Sequence, residues 1–300
     1  MRTALTVGSF DGVHRGHAAV LAALRGAADR LGLSAEVVTF EPHPLRVLRP
    51  EAAPARLASP AERALWLTEA GVDRVHVLPF TPELAALEAA PFVRDVLVGR
   101  LGCTALVVGH DHRLGRGRGG GPEELARLAS ELGFELQVVP PVHVDGAPVS
   151  STRTRQAVAG GDLGLAARLL GRPYALFGPV VRGSGRGAGL GVPTANLAPA
   201  PGKQLPPEGI YACRVSADGE RYPAAVHWGA RPTFADATPV LEAHLIGFDG
   251  DLYGRWLELA FLEKIRDVAR FGSPGDLARA MADDLRRAAD VTRPSLPSPA

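Results

Sequence analysis

Near residue 173 the hydrophobic period of the chain changes, and the break dictates a different kind of sheet on either side. Upstream, Ala4–Val7, Ala35–Phe40, Val75–Leu78, Ala105–Val108 and Leu136–Val139 are short apolar runs of strand length. Between the first two, Val20, Leu21, Leu24, Ala27, Ala28 and Leu31 recur at three- and four-residue spacing, which is one face of a helix. Ser59-Pro60 opens a second helix through Glu69, because proline is favoured at the first helical position. Leu84–Leu87, Phe92–Val98 and Pro122–Leu132 carry helical patterns too. Strands alternating with helices imply βαβ units, and so an α/β fold with a doubly wound parallel sheet between two layers of helix.

Downstream, Ala175–Arg182, Ile210–Ser216, Tyr222–Trp228, Val240–Ile246 and Trp256–Leu262 are short runs rich in β-branched and aromatic residues. Gly and Pro clusters separate them, and no long helix intervenes before Pro274–Ala289. This predicts a small antiparallel β-barrel or sandwich closed by a C-terminal helix. Thr154–Leu170 reads as helical linking structure. The expected division is therefore residues 1–172, residues 173–291 and a Pro/Ser tail, 292–300, expected to be disordered.

Composition narrows the classes of function. Lys+Arg is 33 and Asp+Glu is 32, a formal net charge of +1, which argues against a dedicated nucleic-acid binder. Small phosphorylated ligands need only a local cluster and stay admissible. A hydrophobic content of 46% with 22% charged residues excludes a wholly disordered chain. Cys103 and Cys213 lie too far apart for a CxxC metal site and are too few for a disulfide framework. There is no apolar run of about 18 residues, so no membrane span and no membrane partner are expected. The first twenty residues hold no uninterrupted apolar stretch either, and the expected compartment is the cytoplasm. Lysine occurs only at 203 and 264, so a single Arg is by default a solvated surface residue.

The first strand runs into Gly8-Ser9-Phe10-Asp11-Gly12-Val13-His14-Arg15-Gly16-His17, and a helix follows at once. Unpaired N–H groups and the positive end of the helix dipole there point at an anion. His14 and His17 add donors, and Gly16 leaves room for a nucleotide to approach the backbone. Nucleotidyl transfer needs this geometry, because charge builds on the α-phosphate as pyrophosphate leaves. A glycine turn with two surface histidines is the plainer alternative. Thr39-Phe40-Glu41-Pro42-His43-Pro44 and Val108–Gly119 (VGHDHRLGRGRG) follow other strands, where a doubly wound sheet places its ligand. His110, Asp111 and His112 raise a metal reading, disfavoured because adjacent loop side chains rarely converge on one ion. Ser150–Arg155 (SSTRTR) puts hydroxyls and Arg155 at a helix start, suited to a triphosphate or to simple N-capping.

The β half holds Gly178–Asn196, a glycine-rich run able to wrap phosphates or to be a flexible loop. It lacks the GxxxxGK[ST] pattern. Thr194 and Asn196 can both present oxygens to Mg²⁺, a hard ion. Glu242, inside the apolar strand VLEAHL, is either a general base for phosphoryl transfer or an outward-facing strand residue.

GSFDGVHRGH, TFEPHP, VVGHDHRLGRGRGG and VSSTRTRQAVAGGDLGLAARLLGRPY resemble the adenylyltransferase half of bacterial bifunctional riboflavin kinase/FAD synthetases. RGAGLGVPTAN, GARPTF, LEAHLIGFDGDLYG and FLEKIRDVARFGSPGDL resemble the riboflavin kinase module of the same family, a small β-barrel. The resemblance spans roughly residues 3 to 290, in the family's order. It implies that riboflavin and ATP give FMN, and that FMN and ATP give FAD and pyrophosphate, both with Mg²⁺. In the first half it implies ATP binding by Gly8, Phe10, Asp11, Gly12, Gly16, Ser151, Thr152 and Arg155, with His14 and His17 catalytic. Phe40, Pro42, His43, Asp111 and Arg113 fall on the flavin side. In the second half it implies Glu242 as the base on the riboflavin hydroxyl, Thr194 and Asn196 on Mg·ATP, and Gly183, Gly187, Gly191 and Pro193 around the phosphates. Arg231 and Arg266 belong to the flavin site on the same ground. A monomer or weak homo-oligomer without nucleic-acid partners is expected. The chain departs from the family pattern at His112, Leu114, Val192 and His227-Trp228. These departures admit a paralogue acting on a modified flavin or with one active half. A non-catalytic flavin-binding regulator is the reading from another class, and the intact Glu242, Thr194, Asn196, His14 and His17 count against it.

Overall fold

The structure is a computed structural model that describes residues 2–182, 194–217, 219–231 and 236–293. It forms two compact units, residues 1–153 and 154–300. The first holds a five-stranded, all-parallel sheet of β1 (Thr3–Val7), β2 (Ser34–Glu41), β3 (Arg74–Pro79), β4 (Cys103–Gly109) and β5 (Glu135–Val139) in the order β3-β2-β1-β4-β5. Each strand falls on an apolar run read from the sequence. β1 is central and buried along its whole length, as a central strand of a parallel sheet is, with Thr3 and Thr6 buried beside Ala4, Leu5 and Val7. Chain order reverses direction across the sheet at β1 and β4, which makes their carboxyl ends the ligand crevice.

Helix α1 (Arg15–Leu31) packs on β1, β2, β4 and β5 through Val20, Leu21, Leu24, Ala27 and Ala28. None of these joins the cluster in which Phe92, Val93, Leu97, Leu125 and Leu128 bury Leu5, Val7, Val38, Leu106 and Val108, so α1 covers the opposite face. Gly32, at φ 65°, ends α1 in the left-handed conformation that glycine adopts without strain. α2 (Pro44–Leu48), α3 (Pro60–Glu69), α4 (Pro82–Ala86), α5 (Phe92–Arg100) and α6 (Pro122–Leu132) complete the layers. α3 starts with a full capping box. Ser59 Oγ accepts from the Glu62 N–H at 3.2 Å, and Glu62 Oε2 accepts from the Ser59 N–H at 2.6 Å. A hairpin of β6 (His143–Val144) and β7 (Ala147–Pro148), too short to carry a sequence period, leads into α7 (Ser151–Ala159).

The linking helix splits into α7 and α8 (Leu163–Leu170) at Gly160-Gly161-Asp162, and packing divides the chain inside α7 rather than at residue 173. The period change and the compact units mark different things: α8 is still helical but packs on the barrel strands.

That barrel is closed and antiparallel, which excludes the sandwich alternative. Its strands are β8 (Tyr174–Val181), β9 (Ala195–Leu197), β10 (Gly209–Ala217), β11 (Glu220–Arg231), β12 (Asp236–Leu245) and β13 (Trp256–Arg266), ordered β10-β11-β12-β9-β8-β13. Three-residue β9 hides behind the glycine-rich run in sequence, yet it closes the barrel between β12 and β8. Tyr174, Tyr211 and Phe261 are its largest fully buried side chains, with the Tyr211 and Phe261 rings edge-to-face at 5.3 Å. Buried Lys203 donates from Nζ to the Ala175 carbonyl at 2.9 Å and lies over the Tyr174 ring. Helix α9 (Pro274–Thr292) packs on β10, β11 and β13 and runs through Thr292, the first residue of the expected tail. Residues 294–300 lie outside the described residues.

Candidate active sites

The turn between β1 and α1 is built from unusual backbone. Phe10, Gly12 and Val13 have φ of 47°, 82° and 41°. For Phe and Val that conformation costs roughly 1–2 kcal/mol each, so surrounding contacts must hold it. Asp11 supplies them. Its buried carboxylate accepts from the Leu57 N–H at 3.1 Å and the Ala58 N–H at 2.9 Å. Its carbonyl accepts from Ser151 Oγ at 3.1 Å. The sequence reading assigns Asp11 to ATP; in the structure its side chain and carbonyl hold the turn in place.

His14 is the N-cap of α1, and its Nδ1 accepts from the His17 N–H at 3.2 Å. A neutral imidazole that accepts at Nδ1 carries its proton on Nε2 and can donate there. The two rings stack at 3.7 Å between centroids with 12° between planes, and the buried Phe10 ring tilts on His17 at 5.0 Å. Gly8 sits close beneath this stack, where a Cβ would lie 3.1 Å from the Phe10 ring and push it by a few tenths of an ångström. A Cβ at Gly16 would lie 3.2 Å from both Cε1 and Nδ1 of His14. Gly16→Ala should therefore push the imidazole off its cap. Any reaction that depends on this turn should slow by up to roughly 10²-fold, the cost of a misplacement near 1 Å; an unchanged rate would show that the close approach is tolerated.

Burial pushes the His17 imidazole well below the usual histidine range, and the His14 charge acts the same way. Its Nδ1 is buried without a hydrogen-bond partner among the described residues. Burial also pushes His112 down to about 4, against the pull of Asp111 and with the help of Arg118 and Arg113. Both folded values lie below the unfolded one near 6.5, so below that pH the unfolded chain binds more protons and stability falls with falling pH. The melting temperature should hold above about pH 7 and fall from about pH 6.5 towards pH 4. His112→Phe should make that fall shallower; an unchanged acid limb would remove His112 from the account.

The end of β2 meets this turn. Phe40 stacks edge-to-face on Phe80 at 5.5 Å, and Pro42 follows a cis Glu41-Pro42 bond. His43 caps α2, its Nδ1 accepting from the Leu45 N–H at 3.2 Å. Beyond β4, His110 and Asp111 are exposed, and Gly121 carries no Cβ where the Arg113 guanidinium packs. Leu114 is buried in the core beside Ala89 and Gly120, so this departure from the family pattern is an interior packing residue rather than a ligand face. Thr152 is exposed at the start of α7, and Arg155 lies one turn further along that helix, in the second unit. Two arginines that sequence reading passed over hold this architecture. Arg153 Nη1 donates to the carbonyls of Val144 and Ala147 at 2.8 and 2.9 Å, fixing the hairpin before Ser151. Arg63 is buried beneath the turn and is treated below.

In the barrel, strand pairing assembles a row. Glu242 on β12 is the cross-strand partner of Asn196 on β9 and of His227 on β11. Directly opposed residues share one face, with Cβ atoms about 4.5–5.5 Å apart. Leu241, Ala243 and Leu245 are buried while Glu242 and His244 are half-buried, so the row stands on the face opposite the barrel core. The row continues from His227 through Ile210 to Arg266. The Arg266 guanidinium is engaged by Asp284 of α9 at 2.9 and 2.7 Å and by the Asp267 carbonyl at 3.1 Å. These contacts tie β13 to helix α9, the two elements the sequence reading places together at the flavin site. His227 Nε2 lies 3.2 and 3.1 Å from the carbonyls of Gly229 and Ala230, two acceptors that require a proton on that nitrogen. Trp228 Nε1 donates to the Pro206 carbonyl at 3.0 Å. Gly183, Gly187, Gly191 and Pro193 lie outside the described residues, as does the Arg231 side chain.

A helix-capping turn at the switch point of a parallel sheet, and a carboxylate beside oxygen donors on a barrel, are the two arrangements a pair of ATP-using transferases would need. Known proteins agree on which. The FAD synthetase family matches residues 1–153 and the riboflavin kinase family matches residues 170–292. The bifunctional riboflavin kinase/FMN adenylyltransferase of Pseudomonas fluorescens is 43% identical over 97% of this chain and 93% of its own length. That of Escherichia coli K12 is 41% identical over 93% and 90%. A crystal structure of a Streptococcus pneumoniae chain named a macrolide-efflux protein superposes with a TM-score of 0.84 at 31% identity, over 98% of this chain and 95% of that one. Among the described residues no helix is long and apolar enough to cross a membrane. The chain belongs to the bifunctional riboflavin kinase/FMN adenylyltransferase family, and it makes FMN from riboflavin and FAD from FMN.

Proposed function

We propose that residues 1–172 carry adenylyl transfer and residues 173–291 riboflavin phosphorylation, each with the side chains assembled above. The observation that carries the first assignment is the stacked His14–His17 pair at the amino end of α1. An FMN phosphate oxygen attacks the α-phosphorus of ATP, and the bond to the pyrophosphate oxygen breaks. Charge gathers on the phosphate oxygens during that exchange. His14 Nε2–H, the first N–H groups of α1 and the dipole behind them meet it without rearranging. His17, neutral by burial, acts as a donor rather than a cation. Ser151 holds the turn in place and Thr152 stands at the open start of α7.

In the barrel, Glu242 takes the proton of the riboflavin 5′-hydroxyl as its oxygen attacks the γ-phosphorus of ATP, and ADP leaves. Thr194 and Asn196 present a hydroxyl and an amide oxygen, a hard donor set that suits Mg²⁺, and Asn196 is the cross-strand neighbour of Glu242. When bound, the ion offsets phosphate charge. Phe40, Pro42, His43, Asp111 and Arg113 are proposed to line the FMN side, and Arg231 the riboflavin side. The near-neutral charge and the absence of a long apolar run support a cytoplasmic enzyme, a monomer or weak homo-oligomer without nucleic-acid or membrane partners. Incubation with riboflavin, ATP and Mg²⁺, followed by chromatography, tests the whole scheme. FMN should appear first and FAD after it. A protein that makes neither, or needs no divalent ion, overturns it.

A further inference from the structure

Arg63 sits on the buried face of α3, 6% exposed. Its Nη1 donates to the Ser9 carbonyl at 3.2 Å, and its Nη2 donates to the Phe40 carbonyl and to Glu41 Oε2, both at 3.3 Å. The other oxygen of Glu41 accepts from Arg56 Nη2 at 2.7 Å. Ser9 immediately precedes the strained Phe10–Val13 turn, and Phe40 and Glu41 immediately precede Pro42-His43. One guanidinium therefore joins the carboxyl ends of two adjacent parallel strands just past Val7↔Val38, the last pair between them, although β2 still pairs with β3 at Phe40 and Glu41. A planar fork can span two carbonyls and a carboxylate at fixed spacing, and an ammonium cannot. Burial pulls the Arg63 guanidinium below its usual range, with Glu41 and Asp11 opposing that pull, so the charge is held at a solvation cost offset by these partners.

We propose that Arg63, held by Glu41, is a positioning residue for adenylyl transfer that sets the spacing between the phosphate-binding turn after β1 and the FMN-side segment after β2. It touches neither substrate. It acts through Ser9 on the His14–His17 pair and through Phe40 on Pro42 and His43. This rests on the assignment of adenylyl transfer to the first unit.

The test is Arg63→Lys in the full chain. Lysine keeps the charge opposite Glu41 but releases at least one carbonyl. The kcat for FAD formation from FMN should fall about 10- to 100-fold, while the KM for ATP stays within about threefold. Riboflavin phosphorylation by the same preparation should be unchanged. A merely structural role predicts a lower melting temperature with kcat per folded molecule preserved, and that result overturns the proposal. So does R63K with FAD formation within about twofold of the parent. If R63K melts early, Glu41→Gln carries the test, since it keeps shape and an acceptor while weakening the hold on Arg63. The double variant should lose no more than the worse single, and losses that multiply overturn the shared path. A parent chain that makes no FAD would instead sink the adenylyltransferase assignment.

Discussion

Glu242→Ala stops FMN formation and leaves conversion of added FMN to FAD at the parent rate. The expected loss in riboflavin phosphorylation is about 10²- to 10⁴-fold, the range for removing a positioned general base. The effect is large because, among the described residues of the row, Glu242 is the carboxylate, next to the proposed metal donor Asn196. Asn196 is an amide with no basic lone pair. His227 spends Nε2–H on the Gly229 and Ala230 carbonyls. The variant folds, because Glu242 stands half-buried on the outer face of β12 while Leu241 and Ala243 fill the core. Glu242→Gln gives the same loss with less change of shape and separates chemistry from packing. The measurement is FMN and FAD by chromatography, from riboflavin and from FMN in parallel. A variant that still phosphorylates riboflavin within tenfold of the parent removes Glu242 as base. One that loses both activities while folded removes the two-site scheme.

His17→Ala produces the converse pattern. FAD formation falls about 10²- to 10³-fold, the usual loss for one donor aimed at developing charge, and riboflavin phosphorylation persists. Two effects add here. The ligand donor goes, and so does the ring on which His14 stacks at 3.7 Å, which loosens the cap of α1. His17→Asn, which keeps a donor but not the stack, should recover part of the rate. Equal rates for the Ala and Asn variants would show that stacking rather than donation is the contribution. Accumulated FMN without FAD from riboflavin and ATP is the signature expected of either variant.

Much of this was legible in residues alone, for a physical reason that differs between the halves. In the first unit β1, β2 and β4 are buried on both faces and the helices on one, so each leaves its own period, and every strand of the parallel sheet falls on an apolar run. HxGH was visible because capping and ring stacking use neighbouring residues on one turn. In the barrel, Glu242 stood out as a charge inside an apolar strand, but its pairing with Asn196 and His227 depends on register across three strands. β9 was missed because three residues carry no period. Arg63 was missed because an arginine is ordinarily solvated. The helical spacing of Arg63 with Trp66 and Leu67 was the available signal, since it places all three on the buried face.

The order of apolar runs, turns and glycine-rich segments determined the two sheet types, the phosphate-binding turn and the family, because period and local capping are properties of contiguous residues. Only the tertiary structure decided which polar groups were already spent. Asp11 holds Leu57 and Ala58, Arg266 holds Asp284, and Arg63 holds Ser9 and Phe40. Their partners lie 18 or more residues away in sequence, where only packing brings a buried charge to the group that must satisfy it.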